Sequence, residues 1–512
     1  MRPQLGSIGP VVVAICATVH AKRLDQRAAI TDCLQTAGVP EDDPGSTDWA
    51  YDVAPFNQRF NYTPLAIAVP LAVEHVQAAV SCAVKVGGGG IKVNAKAGGH
   101  SYAAFGLGGE DGHLVIELDR MNNVELDPDT NIATIEAGAR LGHVALSLFE
   151  QGQRAFSHAG HSLHGGFGFS SHTHGLALDW MAGATVVLAN GTAVECSENE
   201  NTDLFWALRG AGSCFGVVTS FRFRTFPAPP VVTVFGAILP WRTAEQAYAG
   251  WSVLQDWVLV GGMPAEMNMR VFGVAFGAQL QGLYHGNASA MEAAVAPLLT
   301  LLNTTLWQVN ETDWMGGFEA YANGDTINAT HPYTLQELFY SKSLVTSPLP
   351  PEAMHSAVDY WFSAGRNLTS RVWYIIIDMY GGANAAIPQV AATTTSYAHR
   401  GDRLFLYEFY DRQVSGKTFP ASGFAFLDGF VDAFTRHLDT SQWGMYVNYA
   451  DPRMSRAEAQ EVYWRDSLPR LQQIKARVDP ADLFYYPQSV EPAGLEDEDE
   501  DEEGHYDDIE SW

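Results

Sequence analysis

The residues with the clearest chemical potential lie between Lys92 and Leu107, in a stretch written KVNAKAGGHSYAAFGL. The pattern predicts a strand, a tight turn at Gly98 and Gly99, and then His100. Glycine has no Cβ, so both turn residues can adopt positive φ and direct backbone N–H groups towards an anion. The stretch predicts a site for a phosphate-bearing cofactor, although an ordinary glycine turn would give the same letters.

Three later stretches accompany this turn. They read RAFSHAGHSLHGGFGFSSHTHGLALD at 154–179, TVVLANGTAVECSENENTDLFWALRGAGSCFGVVTSFRFRT at 185–225 and YYPQSV at 485–490. Together the four stretches resemble FAD-linked oxidases of the vanillyl-alcohol-oxidase type. Within that group the berberine-bridge and oligosaccharide-oxidase branch fits best, above all the glucooligosaccharide (carbohydrate) oxidases. The resemblance spans about residues 64–492 and implies an FAD-dependent oxidoreductase that acts on CH–OH donors with dioxygen as acceptor.

The resemblance also assigns cofactor contacts. It places a covalent flavin bond on the histidine of GGHS, which is His100. The other cofactor-binding residues that it implies are Gly98, Gly99, Ser101, Gly165, Gly166, Gly168, Ser171, Val218 and Gln488. Many relatives add a second bond from the cysteine of a G-T-C-P segment, but no cysteine lies between Cys82 and Cys196 here. We therefore expect one covalent link, with that segment either truly absent or lost from the gene model.

A carboxylate and a phenol are the predicted catalytic pair. If residues 371–380 form a strand, alternation places Asp378 on one face with aromatic and aliphatic side chains. Burying a carboxylate there costs free energy unless it has a partner, which suggests a functional role. The resemblance makes Tyr449 the general base, hydrogen-bonded to Asp378. The alternative is that Tyr449 is a core aromatic residue and Asp378 a strand-end cap. The substrate contacts implied by the resemblance are Tyr102, Tyr374 and Glu408.

Two other kinds of site are rejected. His158, His161 and His164 recur every third residue, but a glycine-rich backbone does not hold helical spacing and no carboxylate joins them, so we predict no metal site. The glycines at 210, 212 and 216 have the wrong spacing for a dinucleotide-binding fingerprint, so we predict no nicotinamide cofactor.

The net charge and the N-terminal segment predict where the protein acts and with which partners. The 512-residue chain carries a formal charge of -28, which disfavours nucleic acid and membrane surfaces as partners. Residues 1–21 resemble a signal peptide, with Arg2, an apolar run at 8–18 and a small-residue cleavage site ending at Ala21. Seven N-x-S/T sequons suit a secreted glycoprotein. We expect an extracellular monomer whose partners are a small-molecule substrate and dioxygen.

Four cysteines follow the signal segment, as suits an oxidising compartment. The family resemblance implies a disulfide between Cys33 and Cys82. Cys196 and Cys214 either pair or stay as buried thiols.

The predicted fold class is α+β. We expect a signal peptide at 1–21 and an FAD-binding domain of two α/β subdomains at 22–229. A substrate domain at 230–450 carries a large antiparallel sheet covered by helices, and 451–492 returns to the FAD-binding domain. Residues 493–512 are so acidic that we predict disorder. Within these domains we predict a strand over Gly444 to Ala450 and one helix over Ala457 to Val478.

The function implied is that of a secreted oxidase of oligosaccharide reducing ends. Hydride would leave the anomeric carbon for the flavin, giving a lactone, and dioxygen would become hydrogen peroxide. One alternative is a berberine-bridge-like oxidase of a secondary metabolite. Another is a non-catalytic homologue with an impaired flavin site. The particular sugar or alcohol is left open.

Overall fold

The computed structural model describes residues 9–88, 90–154, 159–322, 327, 336–414 and 418–494, with side chains from residue 23 onward apart from Ala159. Almost all of the predicted acidic tail lies outside these residues, as does His158. The described residues form helices and sheets in a mixed α+β arrangement, as predicted.

A small sheet opens the chain. Its elements are α1 (Gly9–Thr36), β1 (Glu41–Asp42), α2 (Trp49–Asp52), β2 (Ala66–Ala68), α3 (Val73–Gly87), β3 (Val93–Lys96) and β4 (Leu114–Glu117). The strand order is β1-β2-β4-β3, and β4 is parallel to both β2 and β3. A disulfide between Cys33 and Cys82 ties α1 to α3 and confirms that predicted pair. Strand β3 leads directly into the predicted cofactor turn.

A second sheet follows. Its region contains β5 (Val124–Asp127), β6 (Ile132–Glu136), α4 (Leu141–Phe149), β7 (Gln153–Arg154), α5 (Ala159–Ser162), α6 (Ser171–His174), β8 (Met181–Val187), β9 (Ala193–Ser197), α7 (Thr202–Ala211), β10 (Val217–Arg224) and β11 (Phe226–Pro227). Five strands pair in the order β5-β6-β10-β8-β9. The thiols of Cys196 and Cys214 are buried and unpaired with each other, which decides the alternative left open above.

The third sheet is the large antiparallel one that was predicted. Its region contains β12 (Val232–Leu239), α8 (Ala244–Leu259), β13 (Met267–Val274), β14 (Gly277–Tyr284), α9 (Ala288–Leu301), β15 (Leu306–Thr312), α10 (Trp314–Tyr321), β16 (Phe339–Thr346), α11 (Pro351–Tyr360), β17 (Val372–Met379), β18 (Phe405–Arg412), α12 (Ala421–Thr435) and β19 (Trp443–Gly444). The order is β15-β12-β14-β13-β17-β18-β16-β19.

Alternation along the strands separates the two faces of this sheet. On one face, Tyr407 and Phe409 pack against Phe434 of α12, so helices cover that side. On the other face, Tyr374 and Asp378 of β17 point away from those helices, because alternate residues of a strand project to opposite sides. The hydrophobic helix face fixes the register, and the register places the polar residues of the other face.

The prediction of a strand over Gly444 to Ala450 is wrong for the residues after Gly444. Strand β19 ends there, and residues Val447–Tyr449 form a short 3-10 turn. Beyond Gly444 the backbone stops pairing with β16, because the side chain of Ser343 bonds to Tyr446 in place of a main-chain group. Tyr446 N donates to Ser343 Oγ (2.9 Å), and Ser343 Oγ donates to Tyr446 O (3.3 Å). The turn carries Tyr449 towards the polar face of the sheet.

The predicted helix over Ala457 to Val478 is two helices, α13 (Arg456–Trp464) and α14 (Leu468–Val478). The break follows from Arg465, whose φ is 45°, and from Pro469 in the first turn of α14, which has no N–H to continue a preceding helix. Beyond α14 the chain returns to the first sheet, where Val93 N donates to Leu483 O at 2.9 Å.

Among the described residues, no helix combines the length and apolar character needed to cross a bilayer.

Candidate functional site

The cofactor turn has the predicted positive φ at Gly99 (66°) but not at Gly98. His100 follows with an exposed side chain whose ring stacks on Phe56 at a centroid distance of 3.8 Å. Surrounding protein still excludes enough water that burial lowers the pKa of His100 to about 4. The imidazole is therefore neutral near pH 7, and one ring nitrogen keeps the lone pair that a covalent bond requires. Ser101 turns inward, and its Oγ accepts a hydrogen bond from Phe105 N at 3.1 Å.

The second glycine run folds around a phenol. Gly165 and Gly166 have φ of 136° and 82°, and a Cβ at Gly165 would stand 2.7 Å from Tyr446 Cε2. The backbone N–H groups of Gly166 and Phe167 donate to the Tyr446 hydroxyl at 2.9 and 3.1 Å. The N–H of Gly166, predicted as a cofactor-binding residue, is therefore already engaged in a hydrogen bond within the protein.

Other predicted cofactor residues also have protein partners. Gly168 N donates to Ser171 Oγ at 3.0 Å, and Val218 is buried in β10. Gln488 is buried, and its amide donates to the carbonyls of Asp451 (2.6 Å) and Met454 (3.1 Å). These contacts hold the loops around the site together.

The predicted substrate residues converge on one carboxylate. Tyr102 and Tyr374 donate to Glu408 Oε1 at 3.0 and 3.4 Å. The rings of Tyr102 and Tyr449 stack at 5.6 Å with 16° between their planes. Burial raises the pKa of Glu408 to about 7, against the opposing effect of the two phenol hydrogen bonds.

The predicted catalytic residues share this face without a bond between them. Burial raises the pKa of Asp378 to about 7, while the charge of Arg270 opposes the rise and that of Glu408 adds to it. Burial and the charges of Glu408 and Asp378 hold the pKa of Tyr449 well above its usual range. Within the described residues Tyr449 and Asp378 make no hydrogen bond to each other, so the contact expected from the resemblance is not formed.

The cofactor turn and the polar face of the sheet meet. The rings of His100 and Tyr102 are 6.3 Å apart, and Tyr102 in turn stacks on Tyr449. Tyr449 is only half-buried. This arrangement brings a histidine, two buried carboxyl groups and the phenol of Tyr449 to one place.

Sequence reasoning missed two residues of the site. Arg270 lies directly opposite Asp378 in the sheet, and its Nε donates to Gln281 at 2.8 Å. A charged residue between the buried Met269 and Val271 is the signal that could have found it. Phe56 stacks on His100 but comes from a stretch without periodicity, so no sequence signal marked it.

Two of the histidines near the second glycine run have local partners. His161 Nε2 lies 3.1 Å from Phe167 O, and His164 Nε2 lies 2.8 Å from Ser213 Oγ. No cluster of metal-ligating side chains occurs in the portion of the chain that the structure describes.

Comparison with known proteins gives the site its context. Residues 64–197 match the family model of the FAD binding domain, and residues 445–491 match that described as berberine and berberine like. The chain is 59% identical over 493 residues to the xylooligosaccharide oxidase of Thermothelomyces thermophilus, which covers 94% of this chain and 97% of the relative.

Comparison with solved structures finds the same group of oxidases. The xylooligosaccharide oxidase from Myceliophthora thermophila C1 in complex with xylobiose has a TM-score of 0.88 at 59% identity, covering 91% of this chain and 100% of that one. The glucooligosaccharide oxidase from Acremonium strictum, with a 6-S-cysteinyl, 8α-N1-histidyl FAD, has a TM-score of 0.87 at 42% identity, covering 91% and 99%.

The fold and the matched domains define an FAD-linked oxidoreductase. The chain belongs to the berberine-bridge type of FAD-linked oxidases, in the branch that contains the carbohydrate oxidases, as its four sequence stretches predicted.

Proposed function

We propose that this chain is a secreted, monomeric oxidase that converts the reducing ends of oligosaccharides to lactones and produces hydrogen peroxide. The observation that carries this proposal is the cluster of phenols and carboxylates beside His100. Tyr102 and Tyr374 are held by Glu408, and Asp378 and Tyr449 are the candidates for proton transfer beside them. The sugar named for the most similar relatives given above, a xylooligosaccharide, is the first to test.

The residues present fit a flavin at His100. This side chain is exposed and neutral beside the turn at Gly99, so it would hold the isoalloxazine ring through one covalent bond. A second bond has no candidate, because no cysteine lies between Cys82 and Cys196. When bound, FAD supplies the acceptor for hydride, and dioxygen restores its oxidised form.

The side chains of this protein would remove the proton of the sugar hydroxyl. Tyr449 would take the proton of the anomeric hydroxyl while hydride leaves the same carbon. Because the pKa of its phenol is raised, Tyr449 holds its own proton at rest and must release it towards a carboxylate as it accepts another. Asp378 is our candidate for that carboxylate, and Glu408 instead positions Tyr102 and Tyr374.

Secretion is proposed from the N-terminal segment and the sequons. Helix α1 runs across Ala21, so cleavage there would remove its first turns and leave the part that carries Cys33. N-terminal sequencing of protein from the culture medium tests this. A sequence that starts at Met1 would contradict it.

The decisive experiment for the activity is a visible spectrum followed by a peroxide assay on the secreted protein. Xylo-, cello- and chito-oligosaccharides form the panel, with non-sugar alcohols as the control. A yellow protein that releases peroxide with sugars supports the proposal. A yellow protein active only on non-sugar alcohols would indicate the secondary-metabolite alternative, and a colourless one the non-catalytic alternative.

A further inference from the structure

The edge strand of the large sheet carries an exposed tryptophan whose orientation needs an explanation. Strand β15 pairs with β12 and ends the sheet on that side. Gln308 lies opposite Gly236 and Leu306 lies opposite Ala237, so Trp307 is the extra residue of a β-bulge. Such a bulge redirects a side chain relative to regular alternation.

Trp307 lies on the sheet rather than in solvent or in the core. A Cβ at Gly236 would stand 2.9 Å from Trp307 Nε1 and 3.2 Å from Cε2, so the missing side chain makes room for the indole ring. Even so, 57% of Trp307 is exposed. An indole held against a glycine with its outer surface open is a platform on which a flat, partly apolar ligand can stack.

This platform is on the same face of the sheet as the proposed active site. In register, Gly236 lies opposite Gln281, Gln281 opposite Arg270, and Arg270 opposite Asp378. Residues directly opposite one another share a face. Three inter-strand spacings of ~4.8 Å separate β12 from β17, so the platform is about 14 Å from Asp378.

The adjacent row connects the two places. Ile238 lies opposite Gln279, Gln279 opposite Phe272, and Phe272 opposite Ile376. Ile376 in turn lies opposite the site residue Glu408 of β18. Exposure rises along this row: Ile376 is buried, Phe272 and Gln279 are half-buried, and Ile238 is 50% exposed. The row therefore opens outward from the site.

We propose that Trp307 is a distal sugar-binding platform, which holds the non-reducing part of an oligosaccharide whose reducing end lies at Asp378 and Tyr449. Along the row the amide of Gln279 is flanked by the apolar side chains of Ile238 and Phe272, as suits a ligand with C–H faces and hydroxyl edges. This inference rests on the proposed function and deepens it: the enzyme prefers chains long enough to reach the edge strand.

The test is oxidation kinetics with a series of xylo- or cello-oligosaccharides from two to six units, using the flavin-loaded enzyme. Trp307→Ala should raise KM for the hexasaccharide by roughly 2- to 10-fold, as expected for loss of one stacking contact. The disaccharide, too short to reach, should keep its KM, and kcat should not change for either. Trp307→Phe, which keeps a smaller ring, should give an intermediate effect and serves if the alanine variant folds poorly.

Val309 provides the matched control. It lies two residues along the same edge strand and is 40% exposed, but it is opposite Phe235 and so belongs to the helix face. Val309→Ala should leave both substrates unaffected. Equal effects of Trp307→Ala on the disaccharide and the hexasaccharide, or no effect on either, would overturn the inference.

If something other than a sugar substrate covers Trp307, the Trp307→Ala variant will behave differently. If a glycan on the nearby sequon residue Asn310 covers the indole, Trp307→Ala will lower the melting temperature only when Asn310 is intact, without length-dependent kinetics. If a second copy covers it, Trp307→Ala will shift the sedimentation coefficient instead. Either result overturns the inference. Failure of the proposed function is distinct, since the unaltered enzyme would then oxidise neither sugar.

Discussion

The Tyr102 hydroxyl donates a 3.0 Å hydrogen bond to Glu408 Oε1, which links the loop after the cofactor turn to the middle of the large sheet. Tyr374 donates to the same oxygen at 3.4 Å. One carboxylate thus binds two phenol hydroxyl groups from different parts of the chain. Because Glu408 is buried and close enough to influence Asp378, it also affects the proton chemistry of the site.

The pH dependence of activity should follow these carboxyl groups. Burial raises the pKa of Asp378 to about 7, so at pH 5 this group is protonated and cannot accept a proton. We expect kcat/KM to rise with pH through about 7 and then level off. Glu408→Gln removes a negative charge near Asp378, which lowers its pKa and should shift the rise to lower pH. A shift to higher pH would contradict the assignment.

Tyr449→Phe should keep the flavin and lose turnover. The ring that stacks on Tyr102 is retained, while the hydroxyl that we propose as the proton acceptor is gone. We expect kcat to fall by about 10²- to 10⁴-fold, the usual contribution of a general base. Flavin absorbance and the melting temperature serve as controls for folding. Full activity with an unchanged spectrum would return Tyr449 to the role of a core aromatic residue.

His100→Ala should release the flavin. Acid precipitation of the unaltered protein should leave the yellow colour in the pellet, as the proposed covalent bond to His100 requires. In the His100→Ala protein the colour should pass to the supernatant, because no cysteine between Cys82 and Cys196 can form another bond. Colour that stays with the variant pellet would reveal an attachment site outside the GGHS motif.

Tyr446→Phe should destabilise the protein without altering the catalytic proton chemistry directly. The Tyr446 hydroxyl accepts hydrogen bonds from the backbone of Gly166 and Phe167 and from the Asn448 amide. Removing it leaves these donors without that acceptor, at a cost of about 1–3 kcal/mol for each buried group left unsatisfied. Chemical denaturation measures the free energy of unfolding. A variant as stable as the parent would mean that the second glycine run does not depend on this phenol.

The GGHS stretch and the alternation around Asp378 could be recognised from sequence because each is a local pattern. Periodicity over residues 371–380 identified β17 (Val372–Met379) to within one residue at each end. The strand assigned up to Ala450 failed because Ser343, about a hundred residues away in sequence, supplies the bonds that end it.

The amino-acid sequence by itself determined the family, the histidine beside the diglycine turn, the disulfide implied by that family and the lack of any cysteine between Cys82 and Cys196. These depend on residue identity and short spacing. Only the tertiary structure decided which residues meet: Arg270 opposite Asp378, Glu408 between two phenols, and Trp307 on Gly236. The physical reason is that strand order and register are set by burial of the other sheet face, which couples residues far apart in the chain.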